Sequence, residues 1–304
     1  MTVALTGATG FVGQAVLDEA ERRGLTVRAL TRRAQAPRVG VTWVAGDLTS
    51  KAALRELVQG SNAVVHVAGL TSARDPAAFA AANVAGTEAL IAAAQLAHVK
   101  RFVFVSSLSA REPSLSAYGA SKAEAERLVE ASGLDWTVVR PPGVYGPRDV
   151  DYFEMFRTAR LGFIPLPPRG ASSIIHVDDL ARLLLDLIDA PPALVRHRLF
   201  EPDDGREGGW SHKELAAAIG AAVERRRLFA PHLPAAAMRF GARIDGLLRG
   251  GKARLTADRV GYMAHPNWVA RSSKAVPASV WQPRIAGAEG LAATAAWYRE
   301  QGWL

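Results

Sequence analysis

Tyr118 and Lys122 stand four residues apart in a segment that reads as a helix, so their side chains emerge on one face. Free tyrosine ionises near pH ~10, and a neighbouring ammonium favours the phenolate, letting the residue give or take a proton nearer neutrality. Ser107 closes an upstream strand, where its hydroxyl can hold a carbonyl or alcohol oxygen together with Tyr118. The chemistry these three types support is proton transfer at an oxygen-bearing carbon. A Tyr-x-x-x-Lys pair is common on helix surfaces, and this one gains meaning from Ser106-Ser107 before it and from the turn that opens the chain.

That turn is Thr6-Gly7-Ala8-Thr9-Gly10-Phe11-Val12-Gly13, an apolar strand running into glycines spaced three apart and then into an amphipathic helix. Gly7 permits a tight turn, Gly10 admits a pyrophosphate close to the backbone, and Gly13 lets helix pack on strand. The helix N-terminus adds unpaired N–H groups and partial positive charge, so Gly7, Thr9, Gly10, Phe11, Val12 and Gly13 are candidate dinucleotide contacts. After the second strand, where NAD binders carry an acid for the ribose 2′-OH, stand Thr31, Arg32 and Arg33. A guanidinium grips a 2′-phosphate that a carboxylate would repel, so the expected cofactor is NADP, with NAD as the other possibility. The competing reading makes both arginines solvated surface charges. Asp47, followed by Leu48, reads either as an acceptor for the adenine amino group or as a helix cap. Ala68-Gly69 offers a small-residue floor for the ribose-phosphate.

The elements that would position these residues alternate strand and helix, which predicts an α/β fold: a Rossmann-type, doubly wound parallel sheet with a smaller C-terminal α+β substrate lobe. Strands are expected at 3–6, 26–31, 42–45, 63–68, 101–106 and 136–140, and helices at 11–23, 51–57, 77–96 and 116–132. The dinucleotide-binding domain is expected over 1–150, with 173–190 returning to it, and the substrate lobe over most of 151–304. Further on come a strand at 173–176, a helix at 178–189, a short strand at 199–200 and a helix to 222 opened by a Ser211/Glu214 capping box. The stretch 239–255 stays ambiguous, and the tail over 286–302 is helical. The aromatics Tyr152, Phe153, Phe156 and Phe163 suit a flat or apolar substrate, or are simply core.

Composition narrows the function classes. The 304 residues contain no cysteine, which excludes a disulfide framework, zinc-thiolate sites and thiol catalysis, and fits a reducing compartment. A formal charge of +8 raises nucleic acid as a partner, but the arginines are scattered and their runs short. An anionic small molecule explains the bias better, so no nucleic-acid partner is expected. The longest apolar stretch, 77–97, is interrupted by Asn83, Thr87, Glu88 and Gln95 and reads as a buried helix, so no membrane span is expected either. With the glycine turn starting at once and no signal peptide, the expected location is cytoplasmic.

Taken together, the glycine turn, Asp47-Leu48, Asn83-Val84 with Gly86-Thr87, Ser106-Ser107, Tyr118 with Lys122, Arg140-Pro141 and Val144–Arg148 resemble the extended branch of the short-chain dehydrogenase/reductase superfamily. His176–Asp179, Trp297-Tyr298 and Gly302–Leu304 extend the resemblance over nearly the whole chain. It implies that Ser107 orients the reacting oxygen, Tyr118 transfers the proton, and Lys122 tunes Tyr118 and binds the nicotinamide ribose. It also implies that Pro141 to Val144 lie near the nicotinamide amide. Asn83 reads as an organiser of the site or a buried structural amide, and His176 and Asp179 read as structural residues tying the two lobes together rather than a metal site. The expected function is an NADP-dependent oxidoreductase acting on a small-molecule carbonyl or secondary alcohol, as a monomer or homodimer. A nucleotide-sugar epimerase is the catalytic alternative, and a non-catalytic NADP(H)-binding structural or assembly subunit the other. Leu108-Ser109 replaces the Asp-Glu pair that dehydratases of this type carry after the serine, which speaks against that activity.

Overall fold

The computed structural model describes residues 1–73, 75–250 and 255–304. The chain forms two compact units: Met1–Arg140 with Leu180–Phe200 and Val276–Trp281, and Pro141–Asp179 with Glu201–Ala275 and Gln282–Leu304.

The first unit alternates strand and helix as its hydrophobic periodicity requires. It runs through β1 (Thr2–Thr6), α1 (Phe11–Arg22), β2 (Thr26–Thr31), β3 (Val41–Ala45), α2 (Lys51–Val58) and β4 (Ala63–His66). Next come α3 (Pro76–Phe79), a π-helical turn at Ala80–Ala85 and α4 (Gly86–Leu96), followed by β5 (Arg101–Val105), α5 (Ala117–Ala131) and β6 (Asp135–Val139). With β7 (Gly143–Tyr145), β8 (Ala171–Ser172) and β9 (Ile174–His176) in the second unit, the last strand of the large sheet is β10 (Arg198–Phe200). The order β10-β6-β5-β4-β1-β2-β3 is parallel throughout, as the Rossmann expectation requires. Strand order reverses between β1 and β4, so the ends of those two strands, Thr6 and His66, flank the switch point where ligands bind in this architecture.

Pro76–Leu96 is long and apolar enough to cross a membrane by length and composition alone. Here it is the crossover from β4 to β5, and Leu90, Ile91, Ala93 and Ala94 are buried with Val64, Phe102 and Phe104 of the sheet. Its apolar character therefore serves the core, as expected for a parallel sheet covered by helices.

The second unit is built differently. β7 pairs with β9, and β8 pairs with β11 (Trp210–Ser211) and β12 (Asn267–Trp268). The strand expected at 173–176 is β9, starting one residue later, and a further short strand, β8, precedes it; Ser173 lies between them, its hydroxyl donating to Asp203 and accepting from the Ala270 amide. Its helices are α6 (Asp151–Arg160), α9 (His212–Ala222), α10 (Ala235–Arg249), α11 (Ala257–Met263) and α12 (Gly287–Glu300), while α7 (Val177–Asp189) and α8 (Pro192–Val195) lead back toward β10. The Ser211/Glu214 capping box is present at α9. The ambiguous 239–255 stretch is helical to Arg249, and its 251–254 portion lies outside the described residues.

Aromatics hold this second core. Phe156, Tyr145 and Tyr298 are fully buried, and Tyr298 stacks on Trp303 with ring centroids 5.6 Å apart. Phe153 meets both rings edge-on, and the Tyr298 hydroxyl donates to the Asp149 carbonyl at 2.7 Å. Tyr152, Phe153 and Phe156 accordingly pack into the core cluster rather than lining an apolar substrate surface.

The glycine turn tolerates no side chain. Gly7 sits at φ +74°, and a Cβ on Gly13 would fall 2.0 Å from the Gly7 carbonyl oxygen. Since that contact is backbone and cannot rotate away, Gly13→Val should destabilise the protein by more than about 3 kcal/mol and lower Tm by roughly 5–10 °C or more. Thermal denaturation checks this, and an unchanged Tm would show that α1 can shift away from the turn.

Candidate active site

The switch point begins with a turn shaped for a phosphate. Gly10 caps α1 in extended conformation with no side-chain cap, and its own amide donates back to the Gly7 carbonyl at 2.9 Å. The first helical amides, Phe11, Val12 and Gly13, thus have no intrahelical acceptor, while Thr9 and Gly10 stand exposed at the tip. A Cβ on Gly7 would lie 2.7 Å from the Ala68 amide, so the turn and the end of β4 are in direct backbone contact. All six turn residues singled out above lie in this cradle, and the Ala68-Gly69 floor adjoins it. The cradle fits the pyrophosphate of a nicotinamide dinucleotide.

At the end of β2 the Thr31 hydroxyl is consumed locally, donating to the Arg33 carbonyl at 2.7 Å. It shapes the turn that presents Arg32 and Arg33, both exposed, and among the described residues neither forms an ion pair. Asp47 accepts from the Thr49 amide and hydroxyl at 2.9 and 2.6 Å. Those bonds, with help from the Arg32 charge, hold its carboxyl below the usual range. The helix-cap reading of Asp47 is corrected: Ser50 caps α2, accepting from the Ala53 amide. Leu48 turns its side chain inward against the start of α4.

Ser116 caps α5 by accepting from the Gly119 amide at 2.9 Å, which starts the helix just before Tyr118. Tyr118 is half-buried and its ring lies 6.0 Å from that of Phe79. One turn on, Lys122 is buried, donates to the Val105 carbonyl at 2.7 Å and lies 4.7 Å above the Phe104 ring. Burial pushes its ammonium down to about 8, with Glu126 pulling the other way. Ser107, two residues past that carbonyl, accepts from the Ser109 amide at 3.1 Å. The second unit holds Pro141, next in chain to Arg140, and Val144, paired in β7 with Ile175.

Two buried polar clusters support the triad. In the first, Asn83, inside the π-helical turn, accepts from the Leu70 amide at 2.7 Å and donates to the Leu70 carbonyl and to Ser121. Ser121 donates in turn to the Tyr118 carbonyl. Asn83 thus ties the end of the β4 loop to α5, which fits both of its readings, and a π-turn re-aiming one residue is a recurrent device. A Cβ on Gly69 would meet Asn83 Oδ1 at 3.0 Å and Lys122 Nζ at 3.5 Å, so the floor glycine makes room for both.

His66 continues this cluster and went unmarked in the sequence. Thr87 spends its hydroxyl proton on the Asn83 carbonyl at 2.7 Å, so it must accept from His66 Nε2 at 2.9 Å. Nδ1 then accepts from the Thr6 hydroxyl at 2.6 Å, and the Thr6 oxygen accepts from the Ala68 amide. Every group is satisfied with a neutral imidazole, and burial first, then the Lys122 charge, press its pKa down to about 3. The second cluster centres on Glu126, which takes both arms of Arg140, at 2.8 and 2.5 Å, and the Ser106 hydroxyl. A histidine ending an apolar strand and a glutamate one turn after Lys122 were the available signals.

His176 and Asp179 were expected to tie the two lobes together, but the hydrogen bonds that anchor them lie within the second unit. Asp179 accepts from the Arg284 and Ile285 amides, both at 2.9 Å, and His176 Nδ1 accepts from the Asp178 amide. Among the described residues no cluster of three His, Cys, Asp or Glu side chains could hold a metal.

Comparison with known proteins agrees with this geometry. Residues 7–191 match the family described as NAD(P)H-binding. The chain is 34% identical to a ceramide reductase of Caulobacter vibrioides over 99% of its own length and 96% of the relative's. It is 33% identical to a ketoreductase of Stigmatella aurantiaca named for a farnesyl-bearing quinoline oxide, over 61% of this chain and 64% of that one. Among solved structures, the NAD complex of Thermus thermophilus UDP-glucose 4-epimerase superposes with a TM-score of 0.70 at 22% identity, covering 98% of this chain and 99% of that one, which shows a shared fold. A parallel sheet with a phosphate cradle at its switch point and a Tyr/Lys helix beside it has a name: the chain belongs to the NAD(P)H-binding family, in the extended branch of the short-chain dehydrogenase/reductase superfamily, and is an NAD(P)-dependent oxidoreductase.

Proposed function

We propose that this chain uses NADPH to reduce a ketone on a long-chain lipid to the secondary alcohol, with Tyr118, Lys122 and Ser107 as the reacting set. The observation that carries the proton-transfer half is the buried Lys122 ammonium, fixed on the Val105 carbonyl one turn from Tyr118. The bound nicotinamide supplies the hydride. Ser107 holds the substrate oxygen, and Tyr118 delivers its hydroxyl proton to that oxygen as it gains negative charge. Lys122 stabilises the phenolate left behind, and Asn83 and Ser121 hold the Tyr118 backbone in place.

The phosphorylated cofactor is favoured by Arg32 and Arg33 standing exposed beside Thr31, whose hydroxyl is committed to the turn. A lipid ketone is favoured by full-length similarity to a ceramide reductase, and the farnesyl-bearing ketoreductase points the same way. The chemical counterpart of a ceramide's secondary alcohol is its ketone, which makes a keto-ceramide the substrate of choice for assay. An epimerase remains the second reading because the UDP-glucose 4-epimerase shares the fold. The two separate on net absorbance: a reductase consumes NADPH stoichiometrically, and an epimerase shows no net change.

Three results are expected. Tyr118→Phe should lower kcat about 10²–10⁴-fold while NADPH affinity, read by calorimetry, stays within about threefold. Retained turnover would remove Tyr118 from the proton step. Arg32→Asp should weaken NADPH binding about tenfold or more and leave NADH binding unchanged or improved; an unaltered ratio would refute the 2′-phosphate contact. Because the useful form of Lys122 is protonated and its pKa is pushed down to about 8, kcat should fall as pH rises through that value. A pH–rate profile level from neutrality to roughly pH 10 would dissociate the lysine charge from turnover.

A further inference from the structure

Helix α10 shows water a face of unusual chemistry. Its inner side is secured: Met238 and Ala242 are buried with Val260 of α11 in a small cluster packed by Leu233, Leu255 and Met263. Asp245, its one acidic residue, accepts from the Leu255 amide at 2.9 Å and pairs with Arg249 at 3.3 Å. At about 100° per residue, Phe240, Ile244, Leu247 and Leu248 fall within a single arc of about 100° on the opposite side. All four are exposed, Leu247 and Leu248 by 85% and 81%. Arg239 and Arg243, also exposed, run along one edge of that arc.

A soluble surface helix ordinarily turns its apolar stripe inward and its charges outward. Here a second stripe faces out, which calls for an apolar partner. The edge says which kind. Two arginines border the stripe, the acidic group is turned inward and committed, and the whole chain carries +8. A second copy packed antiparallel on this face would bring the two arginine edges side by side. An anionic surface with an apolar interior meets both demands at once.

We propose that α10 is an interfacial anchor whose outer face lies in the headgroup boundary of an anionic phospholipid bilayer. Leu247, Leu248, Phe240 and Ile244 enter the upper acyl region, and Arg239 and Arg243 engage lipid phosphates. The helix spans nothing, and binding is reversible and salt-sensitive because a single short amphipathic face carries it. This membrane face is independent of what the enzyme reduces.

Flotation of the full-length protein with vesicles of equal parts phosphatidylcholine and phosphatidylglycerol, against phosphatidylcholine alone, tests it. The wild type should float with the anionic vesicles and be released by high salt. Leu247→Glu with Leu248→Glu should reduce partitioning at least about tenfold, and Arg239→Glu with Arg243→Glu should erase the preference for anionic vesicles. NADPH binding, measured on the same preparations and expected to be the same in all three proteins, separates lost docking from lost folding and from any failure of the substrate reading. Wild-type protein that stays unbound, or leucine variants that float equally well, would overturn the proposal. So would light scattering that shows a dimer which the leucine substitutions dissolve in the absence of any vesicle binding.

Discussion

Lys122 carries a charge into a place from which water is largely excluded, and much of the first unit is arranged so that it can stay there. Desolvation lowers its pKa, and the opposing attraction comes from Glu126 one turn away and from the Val105 carbonyl at the end of a strand. Glu126 is itself buried, and its carboxyl accepts paired bonds from Arg140 and one more from the Ser106 hydroxyl. Neither partner of such a cluster can be removed alone without stranding a buried charge, which costs more than the pair itself contributes. The position of the lysine is therefore over-determined by its surroundings.

The same charge explains the neutrality of His66. A second cation at the switch point would repel Lys122, and the hydroxyls of Thr6 and Thr87 already satisfy both ring nitrogens of the neutral form. That imidazole ties β1, β4 and the start of α4 into one hydrogen-bonded unit, and Asn83 passes the constraint to α5 through Ser121. The glycine turn's strand and α5 are held in register by neutral hydrogen bonds, which adds no further charge beside Lys122.

What the sequence made legible was local. The glycine turn, the Tyr118/Lys122 spacing and the Ser211/Glu214 cap are complete within eight residues, so their physics is visible before folding. The sheet followed because alternating strands and helices with short connections leave few topologies. The supporting clusters were not legible, because Thr6 meets His66 across 60 residues through strand order, and Ser106 meets Glu126 across 20 only once α5 folds back on the end of β5. Strand β8 is not legible for a related reason: its two residues have no periodicity, and its pairing partners come from 210–211 and 267–268. Phe153 and Phe156 were read as possible substrate contacts because periodicity cannot say which partner an aromatic face will find, and here Tyr298 and Trp303 claim it.

The two units also differ in what holds them, and that difference bears on function. In the first, a continuous parallel ladder fixes seven neighbouring strands in register, and displacing one strand end would require the whole sheet to deform. In the second, strands of two or three residues contribute few ladder bonds, so order comes from interdigitated rings such as Tyr145, Phe156 and Tyr298. Side-chain packing tolerates volume-conserving exchange better than a hydrogen-bonded ladder tolerates a shift of register. A fold that keeps Val105, the acceptor of the Lys122 ammonium, on the rigid ladder and leaves the other unit to aromatic packing can therefore exchange side chains in the second unit without shifting the register of the first.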